Sequence, residues 1–340
     1  MFNNSTKILF FLTLISGTLI TISSSSWLSA WMGLEINLLS FIPLMNSTNN
    51  LLSSETALKY FLTQAIASSI FLVAVIISML KTNMFPQLVL NYNNLITTAL
   101  LIKSGTAPFH FWFPSVMDGL SWTNSLILMT WQKIAPLVLV TYIYSLNLMI
   151  FFIISSALVG ALGGLNQTSL RKLMAFSSIN HLGWMLAAMA DSNKLWLIYF
   201  IFYVFLSTAI IFMFNLFKTF HLNQIYSLSI QSTILKFCLF INLLSLGGLP
   251  PFLGFFPKWM IIQQLSTMNY MFMTFVLIMS SLITLFFYLR LCYPAFLLGK
   301  TEHSWIKIIP VSTLPNKTSL IFSFISTMGL PLISLLIFIF

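Results

Sequence analysis

Leu101-Ile102-Lys103-Ser104-Gly105-Thr106-Ala107-Pro108-Phe109-His110-Phe111-Trp112-Phe113-Pro114 lies inside an apolar run, 95–118, long enough to cross a bilayer. Yet it carries a lysine, a histidine and helix breakers. A second stretch has the same character: Leu244-Ser245-Leu246-Gly247-Gly248-Leu249-Pro250-Pro251-Phe252-Leu253-Gly254-Phe255-Phe256-Pro257-Lys258, inside the run 234–265. Unwound backbone at membrane depth survives only where it is buried in protein or lines a wet cavity. Two such interruptions in corresponding helices point to a transporter built from inverted repeats. The plainer alternative is that the prolines merely kink two core helices.

Working outward, the rest of the chain supports the membrane setting. Of 340 residues, 15 are Lys or Arg and 5 are Asp or Glu; charged residues make up 6%, against roughly 25% in soluble domains. Hydrophobic residues reach 59% and the mean hydropathy is +0.97, which excludes a water-soluble globule. The expected fold is an all-α polytopic membrane protein, a single membrane domain, with eleven spans at about 5–23, 27–45, 58–80, 95–118, 122–144, 147–165, 170–190, 194–217, 234–265, 269–292 and 319–340. The first reads as a span and not a signal peptide, because no small-residue cleavage site follows it and Trp27 resumes the next span at once. The interrupted helix is the fourth of helices 1–5 and again the fourth of helices 6–10. Five helices per repeat make two repeats antiparallel. The expected division is therefore 1–145, 146–295 and a loop with a terminal helix over 296–340, inferred from breaker position and not from residue-level self-similarity.

The formal charge of +10 would suggest nucleic acid in a soluble protein, but no basic run is longer than Arg171-Lys172. The excess reads as topology, with no nucleic-acid partner. With eleven spans, Lys7, Lys59, Arg171, Lys172, Lys218, Lys236, Arg290, Lys300, Lys307 and Lys317 fall on one side, and only Lys81 and Lys194 on the other. Basic residues accumulate on the side of synthesis, so the N-terminus is expected inside. Cys238 and Cys292 lie in apolar stretches without iron–sulfur or disulfide spacing, and read as small core residues. No two histidines or carboxylates have zinc or calcium spacing. There is no nucleotide-binding glycine pattern; Gly160-Ala161-Leu162-Gly163-Gly164 reads as close helix packing.

Three lysines remain inside spans: Lys103, Lys133 and Lys258. Glu35 lies at the midpoint of 27–45. Lys133 is roughly 16 Å from either end of its span at 1.5 Å per residue, too far for its ammonium to reach the headgroups. An ionisable group at such depth costs at least about 2.5–3.5 kcal/mol on insertion scales and by default marks an ion or proton pathway. The structural alternative is a snorkelling lysine or a Glu–Lys pair that only holds helices together. His181, in Ser177-Ser178-Ile179-Asn180-His181, and His110, after the first break, can also pass protons near neutral pH. Each reads equally as a helical histidine bonded to a neighbour. His221 and His303 fall in loops and are expected to have no special role.

The stretches 103–114, Leu128-Met129-Thr130-Trp131-Gln132-Lys133-Ile134-Ala135-Pro136, 166–184 and 246–259 resemble the chain-2 family of NADH:ubiquinone oxidoreductase, respiratory complex I, in its mitochondrially encoded, insect-like form. The resemblance covers residues 1–295. It implies an antiporter-like, proton-translocating subunit of the membrane arm, in the mitochondrial inner membrane with its N-terminus in the matrix. On that resemblance Glu35 modulates the first lysine, Lys103 belongs to the first broken helix, Lys133 is central and Lys258 belongs to the second broken helix. His110 and His181 match positions on or near the polar axis. The resemblance also implies neighbouring antiporter-like chains and inner-membrane lipids as partners. No cofactor is expected in this chain, with NADH, FMN, iron–sulfur clusters and ubiquinone handled by other subunits. Bacterial members resemble fourteen-helix chains, of which this one is expected to lack the first three. The competing functional reading is a stand-alone cation/proton antiporter, against which a single deep carboxylate counts; a third is an inert scaffold, for which buried charges would be an unexplained cost.

Overall fold

A computed structural model describes residues 5–46, 50–80, 89–190, 193–226, 233–297 and 313–339; Lys81, Lys300, His303 and Lys307 lie outside them. The described residues form fifteen helices. They divide into two compact units, Met1–Phe152 and Ile153–Phe340.

In the first unit, α1 (Ser5–Ser23) and α2 (Trp27–Met45) coincide with the expected spans. The serine link between them is a cap: Ser26 Oγ accepts the Ser29 N–H at 3.3 Å, and Ser29 Oγ accepts the Ser26 N–H at 3.3 Å. This is a capping box closed by a serine in place of the usual glutamate. Lipid is as apolar as the side chains, so helices are held by close packing and not by hydrophobic burial. Gly17 and Gly33 provide it. A Cβ on Gly17 would lie 3.0 Å from Asn37 N, and one on Gly33 2.9 Å from Gly17 O. Helix α3 (Leu51–Leu80) begins before the expected residue 58, because Glu55 and Lys59, one turn apart, form a 2.6 Å ion pair that extends the helix through a polar segment.

The fourth span is broken as expected, into α4 (Val89–Ser104) and α5 (Trp112–Gly119). Leu101 O accepts the N–H groups of both Gly105 (3.1 Å) and Thr106 (3.2 Å), and Gly105 has φ +79°. That left-handed stop is one a glycine takes without steric cost. The fifth span, expected to be continuous, has a smaller irregularity. It runs as α6 (Trp122–Met129) and α7 (Trp131–Tyr142), with Thr130 at φ −112°, ψ −70° between them. The cause is Pro136, which has no N–H for Gln132 O and crowds the preceding turn. Lys133 N–H bonds Thr130 O at 3.3 Å, three residues back, where a continuous helix would use Met129 O.

Helix α8 (Leu146–Gly164) leads into the second unit, which holds α9 (Leu170–Ala188), α10 (Asn193–Phe217), the short α11 (Leu222–Tyr226), α12 (Thr233–Gly247), α13 (Phe255–Thr267), α14 (Met271–Leu297) and α15 (Thr313–Ile339). The ninth span is broken between α12 and α13. Gly248 has φ +80°; its N–H meets Ser245 O at 3.0 Å, and the Leu249 N–H meets Leu244 O at 3.5 Å. Glycines 160, 163 and 164 do pack closely: a Cβ on Gly160 would lie 2.5 Å from Asn180 N, and one on Gly164 2.9 Å from the Phe287 ring. Cys292 is buried, whereas Cys238 is half-buried.

Among the described residues seven helical stretches are each long and apolar enough to cross a membrane: α1, α2, α3, α6 with α7, α8, α10 and α14. The two broken spans are too short in each piece. Helix α9 is too polar, and nearly all of it is buried inside the protein.

Once the helices are delimited, a register emerges that breaker positions alone did not reveal. Shifting the first unit by 143 positions takes Trp27–Met45 onto Leu170–Ala188 and the start of α5, Trp112, onto the start of α13, Phe255. Gly17 falls on Gly160, Ile36-Asn37 on Ile179-Asn180, Tyr60 on Tyr203 and Phe71 on Phe214. Leu101, Gly105, Pro108-Phe109 and Phe113-Pro114 fall on Leu244, Gly248, Pro251-Phe252 and Phe256-Pro257.

Candidate functional site

In the first unit the fourth and fifth spans bring two of the lysines to one cavity. Lys103 ends α4 just before the glycine stop, and Lys133 begins α7 just after the Thr130 irregularity; they are 7% and 1% exposed. Both line a cavity with a water-accessible volume of about 20 Å³, room for about one water molecule. Asn37, Gln64, Ser104 and Gln132 supply its other polar walls. Gln132 Nε2 donates to Asn37 Oδ1 at 3.0 Å, and Gln64 Nε2 to the Lys103 carbonyl at 3.4 Å. The Lys103 Nζ is buried with no hydrogen-bond partner among the described residues. Lys133 Nζ lies 5.1 Å from the centre of the Phe113 ring, within cation–π range.

Glu35 is not among the residues lining that cavity. Its Oε1 is buried without a hydrogen-bond partner among the described residues, so it does not form the closed ion pair of the structural alternative. His110 also stands outside the cavity lining. Its Nδ1 lies 3.2 Å from Pro108 O and its ring 4.3 Å from that of Phe111. The break itself is closed by Trp112, whose Nε1 donates to Ile102 O at 3.1 Å. Tyr60 packs on Trp112 at 5.8 Å and on Phe41 at 5.3 Å, and it too lines the cavity.

In the second unit Lys258 stands in the first turn of α13, 6% exposed, and reaches back across the break. Its Nζ donates to Gly247 O at 2.8 Å and sits 5.9 Å from the centre of the Trp184 ring. It thereby satisfies one of the carbonyls that the end of α12 leaves open. Trp184 and His181 are three residues apart and share a face of α9. His181 Nδ1 lies 2.8 Å from the Tyr199 hydroxyl, and its ring 5.1 Å from that of Tyr203. Asn180 ties α9 to α14, donating from Nδ2 to Thr284 Oγ1 at 3.4 Å and accepting from Ser280 Oγ at 3.5 Å.

Each buried lysine therefore sits within about a turn of a helix interruption. Sequence reasoning missed Asn37, Gln132, Tyr60, Tyr199 and Tyr203, since amides and tyrosines are unremarkable in a membrane chain. The 143-residue shift was the available signal: it pairs Asn37 with Asn180 and Tyr60 with Tyr203, all four buried.

Residues 24–284 match the family described as NADH:quinone oxidoreductase/Mrp antiporter, transmembrane, and residues 285–337 match the NADH dehydrogenase subunit 2 C-terminus. The chain is 58% identical over 330 residues to NADH-ubiquinone oxidoreductase chain 2 of Anopheles gambiae, covering 96% of this chain and 97% of the relative. It is 45% identical to the Locusta migratoria protein of that name, covering 97% and 96%. Among solved structures it is similar to a chain of respiratory complex I from Thermus thermophilus (TM-score 0.85, 23% identity, 97% of this chain and 79% of that one). It is also similar to a chain of the Mrp complex from Dietzia sp. DQ12-45-1b (TM-score 0.83, 17% identity, 96% and 75%).

Proposed function

From the premise that this chain belongs to the NADH-ubiquinone oxidoreductase chain 2 family, within the NADH:quinone oxidoreductase/Mrp antiporter membrane proteins, we propose that it moves protons through its buried lysines as a subunit of complex I. It is a multi-pass membrane protein of the complex's membrane arm, beside other antiporter-like subunits, and part of a proton-translocating NADH:ubiquinone reductase. In this reading the membrane is the mitochondrial inner membrane and the N-terminus faces the matrix. The redox groups belong to other subunits. The chain acts as two repeats, 1–145 and 146–295, followed by the segment 296–340.

The observation that carries the proposal is the shared cavity of Lys103 and Lys133, whose lining contains no carboxylate. An ammonium donates protons and a neutral amine accepts one; with one water between them, two lysines can hand a proton on. The Asn37–Gln132 amide pair does not titrate, and its work is to orient that water. A charged Glu35 favours the charged form of the lysine it acts on, so moving that carboxylate toward or away from Lys103 changes which state holds the proton. Lys258 does the corresponding work in the second unit, where Gly247 O stabilises its ammonium. His181 and His110 are relay positions of the same scheme.

Lys133→Met and Lys133→Arg test it in the assembled complex reconstituted into vesicles. Methionine removes the proton carrier, and arginine keeps the charge but does not release its proton. Both are expected to abolish most proton pumping. Normal pumping by the arginine variant refutes the relay, and normal pumping by both refutes any role for Lys133.

A further inference from the structure

The terminal helix α15 lies outside both repeats, and the 143-residue register assigns it no counterpart in the first. It nevertheless touches the second break on both sides. On the α12 side, Ser326 Oγ donates to Asn242 Oδ1 at 2.6 Å. On the α13 side, the backbone N–H of Leu253 donates to the Ser326 carbonyl at 3.1 Å. Leu253 stands in the interrupted segment, so its N–H has lost the partner that a continuous helix would provide. At membrane depth no water is there to satisfy a free backbone group, so a neighbouring element must take it. Gly329, one turn along α15 from Ser326, leaves the room that the Leu253 side chain fills. A Cβ there would collide with the Leu253 side chain. Ser326 and Asn242 are fully buried, at 0% and 1% exposure.

We propose that α15 is a latch on the second broken helix: Ser326 and Gly329 form a seat for Leu253, and so set where α13 begins and where Lys258 is held against Gly247. Leu253 precedes the first residue of α13 by two positions and Lys258 by five, so a displaced Leu253 carries the start of α13 with it. Ser326 and Gly329 are positioning residues acting through Leu253. The inference rests on the proposed role of Lys258.

The test uses the full chain in the assembled complex, comparing Gly329→Ala, the double variant Gly329→Ala with Leu253→Ala, and Lys258→Met. Gly329→Ala should lower protons pumped per NADH oxidised by about tenfold or more, since about 1 Å of misplacement from a remote change costs up to about a hundredfold. Shortening Leu253 should restore most of it. If Gly329→Ala does not assemble, recovery of assembly in the double variant supports the seat, and its absence overturns it. Normal pumping by Gly329→Ala, with Lys258→Met inactive, overturns the latch alone. Normal pumping by Lys258→Met overturns the reading of Lys258, and with it the latch's link to pumping.

Discussion

The three buried lysines solve one problem in three ways. Lys258 donates a hydrogen bond to a carbonyl freed by a helix break, Lys133 rests against an aromatic face, and Lys103 has no hydrogen-bond partner among the described residues. An unpartnered ammonium in a small polar cavity is the arrangement in which an added water does most. The histidines are less settled by type than by neighbour. His181 shares a 2.8 Å hydrogen bond with Tyr199, and which of the two atoms holds the proton decides what the other ring nitrogen can offer. Tyr199→Phe removes that partner at a cost of about 1–3 kcal/mol. If His181 carries protons, pumping slows by about tenfold while assembly is kept; an unchanged rate in the assembled complex marks His181 as a packing residue. The identity of the lysines was legible because lipid makes charge conspicuous. Their surroundings were not, because Asn37, Gln132 and the tyrosines matter only through the partners that tertiary packing brings.

At the scale of elements, the two breaks were legible because glycine and proline act locally. Gly105 and Gly248 have φ of +79° and +80°; the Gly105 N–H closes its helix on Leu101 O, and the Gly248 N–H closes its own on Ser245 O. The irregularity at Thr130 was hidden because its cause, Pro136, lies further along and the span is otherwise apolar. Helix contacts were half legible: the glycines announced close packing, but not with whom. Gly17 and Gly160 each face the backbone of the asparagine in the next helix, at 3.0 Å and 2.5 Å from an added Cβ. Alanine at 160 must therefore move α8 from α9, whereas alanine at 17 needs a shift of a few tenths of an ångström. Overpacking of this kind costs about 1–3 kcal/mol. Gly160→Ala is expected to lower the thermal midpoint of the assembled complex more than Gly17→Ala, read by scanning both variants side by side; the reverse order would show that the contacts are not equivalent in the two halves.

For the whole molecule, scarce charge orients the chain. In the proposed eleven-span topology ten loop lysines and arginines stand against two, with Lys7 and Lys194 on opposite sides of the membrane. Single cysteines at those positions, in a background without Cys238 and Cys292, should react with an impermeant thiol reagent from opposite faces of sealed vesicles. Labelling from the same face contradicts the eleven-span topology. The count of spans was legible from length and hydropathy, and the broken pair from breakers. What was not legible was that one of the expected spans, 170–190, is too polar to cross a membrane alone and is almost wholly buried by protein.

That span, α9, has a consequence for how the protein is made. With Ser177, Ser178, Asn180 and His181 near its middle, it is not apolar enough to cross a membrane alone, yet almost every side chain in it is buried by protein. A nascent chain must commit each segment to the bilayer or to water as it emerges, and α9 taken singly is a poor candidate for lipid. The strongly apolar α8 before it and α10 after it are good ones. Insertion of α9 thus depends on segments synthesised on either side, so a chain that stops before α10 lacks what keeps α9 in the bilayer. Its residence there belongs to its neighbours more than to its own sequence.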